Sequence, residues 1–175
     1  IFTDSVNCFG DNDGIAILTV TPGTGTFPYS YLWNDAASQT NETALGLVAG
    51  TYSCIITDGN GCILSSVPIL LSEPDPISIL FTPNDVTCVG FNDGSITTSI
   101  SGGTSAYTYL WNTTPAQTNP NQSIASNVAA GTHLLTVSDY HGCTYPSVSI
   151  NVGAPSPITA TISTTNVLCN GDATG

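Results

Sequence analysis

Cysteine is the residue type whose spacing most clearly indicates chemistry in this sequence. Four of the six cysteines lie in two short patterns that each occur twice. The pattern C-x-G-x-x-D-G begins at Cys8 and Cys88, and D-x-x-G-C ends at Cys62 and Cys143. Because paired cysteines beside turns are typical of exported domains, we predict a disulfide between Cys8 and Cys62. A second would join Cys88 to Cys143, and each would close one end of its own domain and stabilise it by about 2–4 kcal/mol.

Two cysteines remain outside these pairs. Leu135 holds the position of Cys54 in the second copy, so we interpret Cys54 as a buried thiol that packs as a small hydrophobic side chain. The alternatives are a Cys54–Cys62 disulfide and a reactive thiol, although no basic residue lies nearby in the sequence to lower a thiol pKa. Cys169 begins a third, altered version of the first pattern with Thr174 in place of the aspartate, and we expect its partner to lie beyond residue 175.

Carboxylates offer the second kind of chemistry. Asp11 and Asp13 in the stretch DNDG could supply oxygen ligands to Ca²⁺. Phe91 replaces Asp11 in the second copy, which favours the alternative of an Asx turn. We therefore expect no cofactor, with Ca²⁺ as the one ion worth testing. The sequence has no G-x-S-x-G, no H-E-x-x-H and only two histidines, so we predict that the protein is not an enzyme.

The charge balance restricts the partners. The chain has no Lys and no Arg, and its twelve acidic residues give a formal net charge of −12. Such a surface cannot neutralise phosphates, so we exclude nucleic acid and anionic lipid as partners. No apolar run is long enough to span a bilayer, and we predict no membrane insertion.

An internal repeat explains why these patterns recur. GTFPYSYLWN at residues 25–34 returns as GTSAYTYLWN at residues 103–112, and the C-x-G-x-x-D-G pattern returns after 80 residues. The alignment divides the chain into repeat 1 (residues 1–75, with its opening strand shortened), repeat 2 (residues 76–156) and the incomplete start of a third (residues 157–175). We interpret the chain as a segment of a longer tandem array.

The segments between the cysteine and aspartate patterns are predicted to be β-strands. Ile15 and Ile17 are replaced by Ser95 and Thr97 in the second copy, so the even positions Ala16, Leu18 and Val20 are predicted to face the core, and no helical period appears. About seven short strands in roughly 80 residues predict an all-β fold of tandem immunoglobulin-like sandwiches. Large aromatic side chains usually fill such interiors, so we expect Trp33 in the core.

The combined pattern resembles the SprB repeat of gliding bacteria. The motifs that carry the resemblance are C-x-G-x-x-D-G, the Y-T-Y-x-W strand that ends at Trp111, A-G-T-Y at residues 49–52 and T-D-x-x-G-C at residues 57–62. The resemblance implies a very large protein that is exported by the type IX system to the bacterial cell surface, where it acts as a gliding adhesin or surface filament. It also implies O-glycosylation at Ser5, within the stretch DSV.

Two functions from different classes follow. The first is a structural or adhesive segment of an extracellular filament, whose partners are neighbouring modules and surface polysaccharide. The alternative is an array of carbohydrate-binding modules in a secreted polysaccharide-processing protein. Sugar rings stack on exposed aromatic faces, so exposure of Trp33 and Trp111 would favour the alternative.

Overall fold

The computed structural model describes residues 2–117 and 121–165, and within these ranges every regular element is a β-strand. Repeat 1 contains eight strands and repeat 2 contains six. The strands of repeat 1 are β1 (Phe2–Asp4), β2 (Gly14–Ile17), β3 (Ser30–Trp33), β4 (Thr43–Leu47), β5 (Gly50–Tyr52), β6 (Cys54–Thr57), β7 (Ile63–Ser65) and β8 (Ile69–Leu71). Those of repeat 2 are β9 (Ser78–Asn84), β10 (Gly94–Ser101), β11 (Thr108–Asn112), β12 (Ile124–Val128), β13 (Gly131–Ser138) and β14 (Thr144–Val152).

Each repeat is a sandwich of two antiparallel sheets. In repeat 2 the sheets have the orders β12-β10-β9 and β11-β13-β14. Repeat 1 has the matching sheet β1-β2-β4, while its second sheet is interrupted into β3-β6-β7 and the pair β5-β8. These orders correspond to strands A, B, E and C, F, G of an immunoglobulin domain. The predicted all-β immunoglobulin-like fold is confirmed. Among the described residues repeat 2 has six strands, and repeat 1 has eight because the counterparts of β13 and β14 are each interrupted into two.

The alternating pattern packs one hydrophobic core in each repeat, as the sequence predicts. Ala16 and Leu18 lie in the core of repeat 1, and Ile96 and Thr98 occupy the equivalent buried positions in repeat 2. Val67 is an exception, because it lies outside the strands and is exposed, whereas its counterpart in β14 packs against the core.

The two cysteine patterns form turns at opposite ends of each sandwich. We call residues 8–14 and 88–94 the first turns, and residues 58–62 and 139–143 the last turns. The first turn of repeat 1 precedes β2, and the last turn follows β6, whose Thr57 pairs with Ser30 at the start of β3. The segment that follows β2, from Leu18 to Val20, lies at that same end, where it lines a cleft together with Cys62. A stretch from Gly14 to Val20 spans about 20 Å, which separates the two turns.

The segment between β3 and β4 explains why the two turns of a repeat lie at opposite ends. This segment crosses the sandwich without forming a strand in the described residues, and it is held to the end of β3 by a hydrogen bond from the Trp33 amide to the Gln39 carbonyl at 2.9 Å. The Leu18 amide donates to the Glu42 carbonyl at 2.9 Å, which places the start of β4 at the last-turn end. The segment thus takes the route of the missing immunoglobulin strand D.

Candidate functional site: the junction between the repeats

A disulfide crosses from one repeat to the other. Cys8, in the first turn of repeat 1, bonds to Cys143, in the last turn of repeat 2, with the two Cα atoms 5.6 Å apart. The predicted pairs Cys8–Cys62 and Cys88–Cys143 are therefore wrong. Within one repeat the two turns lie at opposite ends of the sandwich, far beyond the distance of roughly 7 Å between Cα atoms that a disulfide can bridge. Stacking the repeats end to end brings a first turn and a last turn together.

The first turn of repeat 1 is held in shape by carboxylates. Asp13 accepts a hydrogen bond from the Asn7 amide at 3.0 Å, and Glu73 accepts one from the Gly10 amide at 2.6 Å. Gly10 has a φ of 80°, in the left-handed region that favours glycine. Hydrogen bonds from the backbone and side chain of Asn7 lower the pKa of Asp13. The carboxylate thus fixes the loop that presents Cys8.

The last turn of repeat 2 is built around a buried carboxylate. Asp139 is only 4 % exposed and accepts hydrogen bonds from three backbone amides. The donors are Thr104 at 2.8 Å, His141 at 2.9 Å and Cys143 at 2.9 Å. Burial opposes ionisation, but these hydrogen bonds outweigh it and lower the pKa of Asp139. Asp58 has the same role in repeat 1, where it accepts from the amide of Cys62 at 2.8 Å.

The linker lies directly against repeat 2. The carbonyl of Asp75 accepts a hydrogen bond from the Gly103 amide at 2.7 Å. Gly102 has a φ of 75°, and a Cβ atom there would lie 2.0 Å from the carbonyl oxygen of Pro76. Only glycine allows the Pro76 carbonyl to come this close to the backbone of repeat 2. The linker is therefore packed against repeat 2.

An open cleft of about 530 Å³ lies between the repeats beside the disulfide. Three acidic residues line it, Asp11, Asp75 and Asp139. No group of three metal-ligating side chains occurs among the residues that the structure describes. The carboxylate of Asp13 is engaged by Asn7, and Asp11 is exposed, so Ca²⁺ binding by these two residues stays a prediction.

The other cysteines fall into two groups. Cys54 is a buried free thiol in the core of repeat 1, as the comparison with Leu135 predicts, and burial raises its pKa. Cys62 and Cys88 are exposed free thiols, so the alternative Cys54–Cys62 bridge is not formed. Cys169 lies outside the described residues.

The remaining residues singled out by the sequence are Ser5 and the two tryptophans. Ser5 is exposed, with its hydroxyl 3.2 Å from that of Ser72, and its O-glycosylation stays a prediction. Trp33 is 1 % exposed and Trp111 is 6 % exposed. Their indole N–H groups donate to backbone carbonyls at 2.8 Å and 2.7 Å. Both tryptophans are therefore core residues, as expected for Trp33.

Sequence reasoning missed the residues that dock the linker. Asp75 and the glycines at 102 and 103 act through main-chain contacts, which leave little trace in side-chain patterns. One signal was present: repeat 2 has the pair Gly102–Gly103, where repeat 1 has Thr24 and Gly25. The extra glycine falls where a second segment of backbone approaches closely.

Together these features define a class of protein: tandem immunoglobulin-like sandwiches joined end to end. Solved structures with weak overall similarity include an amphioxus IgVJ-C2 molecule, 11 % identical with a TM-score of 0.38, over 79 % of this chain and 94 % of that one. Another is the N-terminal eight Ig domains of Down Syndrome Cell Adhesion Molecule, 15 % identical with a TM-score of 0.38, over 80 % and 20 %. A third comprises fibronectin(III)-like modules of Clostridium thermocellum CbhA, 14 % identical with a TM-score of 0.30, over 91 % and 93 %.

The sequence family is more specific than the fold. The family model named SprB repeat matches residues 1–38 and 80–115, which are the corresponding parts of repeats 1 and 2. The resemblance found from the motifs is thereby confirmed over these two segments, and the match supports a cell-surface adhesin-type repeat module. No curated protein matches the chain. In the described part of the chain, no helix is long and apolar enough to cross a membrane.

Proposed function

We propose that this chain is a structural segment of a bacterial gliding adhesin or surface filament, exported by the type IX system to the cell exterior. Its role is to hold a distal binding region away from the cell and to transmit tension to it. The proposal includes no catalytic step. It is supported by the SprB match, the end-to-end sandwiches and the disulfide, a bond that persists in oxidising compartments.

The observation that carries the proposal is the path of force through Cys8–Cys143. When the chain is pulled from its two ends, tension passes from residues 1–8 through the sulfur–sulfur bond into residues 143–175. The residues between the two cysteines, a sequence separation of 135, form a closed loop that tension cannot extend. Most residues of both cores lie within that loop; the exceptions are Val6 in repeat 1 and the residues of β14, among them Ile150 and Val152, in repeat 2. A covalent bond in this position suits a filament that must stay folded under shear.

The polysaccharide-binding alternative has less support. Its expected feature, a pair of exposed tryptophans, is not found, because both Trp33 and Trp111 are buried and hydrogen-bonded through their indole nitrogens. Polysaccharide stays a proposed partner only for other exposed surfaces of the module.

Immunogold electron microscopy of the source cells tests the proposed function. An antibody raised against residues 1–156 should label thin surface filaments at intervals along their length. Label confined to the medium, or to particles bound on polysaccharide, would contradict the filament and favour the carbohydrate-binding alternative. Cells whose gene for the protein is deleted provide the control for antibody specificity.

A further inference from the structure

We infer that Cys88 and Cys62 are the open halves of two more disulfides of the Cys8–Cys143 kind, each formed with a further SprB-type repeat docked at the free end of a sandwich. Cys88 would bond to the last-turn cysteine of a following repeat, and Cys62 to the first-turn cysteine of a preceding one. The inference deepens the proposed function, but it concerns the purified protein and does not depend on cellular location.

The end of repeat 2 that carries Cys88 reproduces the bonded end of repeat 1. At the bonded end, the Val6 amide donates to the Ser72 carbonyl at 3.1 Å. At the Cys88 end, the Val86 amide donates to the Gly153 carbonyl, also at 3.1 Å. Cys88 therefore has the same position relative to the segment that begins at Gly153 as Cys8 has relative to the linker that begins at Ser72.

The first turn that presents Cys88 also has the same internal construction. Asp93 accepts from the Thr87 amide at 3.0 Å, as Asp13 does from Asn7. Gly90 has a φ of 85°, close to that of Gly10. The turn therefore holds an exposed thiol in the conformation that, in repeat 1, is bonded across the junction.

The end of repeat 1 that carries Cys62 is open where the equivalent end of repeat 2 is covered. In repeat 2, Ile79 of β9 pairs with Ile100 and packs against the core. Val20, the counterpart of Ile100, instead lines an open cleft of about 440 Å³ that also contains Cys62 and the exposed Val67. The opening strand of repeat 1 is shortened, so this slot is the place that Ile77–Leu80 take in repeat 2, and a linker strand of that type would arrive there together with a first-turn cysteine.

Forming each disulfide requires a two-electron oxidant, and a low-molecular-weight disulfide supplies it. The two protein thiols become one protein disulfide, and oxidised glutathione is reduced to two molecules of glutathione. The same exchange in repeated junctions would link every module covalently to the next, in parallel with the peptide chain.

The test completes the third repeat. Residues 157–175 align with residues 76–94, so the full chain is extended with a second copy of residues 95–156, which supplies an additional last turn. After oxidation with glutathione, Cys88 should bond to Cys143 of the added copy, as read by mass spectrometry of unreduced peptides. Cys88→Ser should abolish this bond and restore one thiol, whereas Cys62→Ser, at the other thiol that is exposed among the described residues, should leave it intact.

The outcomes show whether the cysteine that bonds to Cys88 comes from the same chain or from a separate molecule. A Cys88 bond within one extended chain supports the inference directly. Covalent chains of unextended protein that contain Cys88–Cys62 bonds support it with a separate molecule as the partner. Cys88 left as a thiol in correctly folded extended protein, with Cys8–Cys143 intact, would overturn it, as would statistical pairing of exposed thiols. Neither result would change the expected immunogold pattern.

Discussion

Reduction of the junction disulfide should release a large, defined length of chain under force. In the oxidised protein the Cα atoms of Cys8 and Cys143 stay 5.6 Å apart however strongly the termini are pulled. Their sequence separation of 135 corresponds to about 470 Å of extended chain at roughly 3.5 Å per residue. Cys8→Ser should therefore increase the final contour length by about 460 Å.

The assay is single-molecule force spectroscopy with handles at residues 1 and 175. Oxidised wild-type protein should show only the short extension of residues outside the loop, and a reducing agent should restore the longer extension. Cys88→Ser is the matched control, because it removes an exposed free thiol and should leave the oxidised extension unchanged. Equal contour lengths for oxidised wild type and Cys8→Ser would refute the force path described above.

Three further results are expected. Asp139→Asn should lower the free energy of unfolding by about 1–3 kcal/mol in urea titrations, because asparagine replaces one of the two acceptor oxygens with an NH2 group that cannot accept from a backbone N–H; an unchanged midpoint would contradict the role of the carboxylate. Gly102→Ala should destabilise repeat 2 more than Gly90→Ala does, since both substitutions place alanine at positive φ but only the first meets the carbonyl of Pro76; equal losses would show that the linker contact is unimportant. The turn aspartates, including Asp58, have lowered pKa values, so their contribution is present above the unfolded carboxyl pKa near 3.8 and is lost as the pH falls through the lower folded values. Thermal melts should therefore be steady near neutral pH and fall below about pH 4, and a flat profile down to pH 2 would exclude this contribution.

Local features of the fold were predictable because they depend on neighbouring residues. The alternation through Ala16 and Leu18 indicates both that the segment is a strand and which of its faces is buried. The positions of the turns follow from the patterns that combine aspartate with glycine. The burial of Trp33 follows from the size of its side chain. These inferences needed no knowledge of how distant strands are arranged.

The disulfide pairing could not be obtained in the same way, because it depends on which end of the sandwich each turn occupies. Cysteine spacing alone does not encode this. An immunoglobulin order of seven strands would have placed the A–B turn of Cys8 and the F–G turn of Cys62 at opposite ends, since five strands run between them. The contact between Cys8 and Cys143 further requires the docking of two repeats, which rests on main-chain contacts at Asp75 and Gly103.

Disulfide mapping tests the central claim most directly. Trypsin has no Lys or Arg at which to cleave, but cleavage before aspartate places Cys8 in residues 4–10, Cys62 in 58–74, Cys88 in 85–92 and Cys143 in 139–171. Mass spectrometry of the unreduced digest, with fragmentation to distinguish Cys143 from Cys169, should find residues 4–10 joined to residues 139–171 through Cys143. Residues 4–10 joined to 58–74, with 85–92 joined to 139–171, would instead show disulfides within each repeat and would contradict the covalent junction.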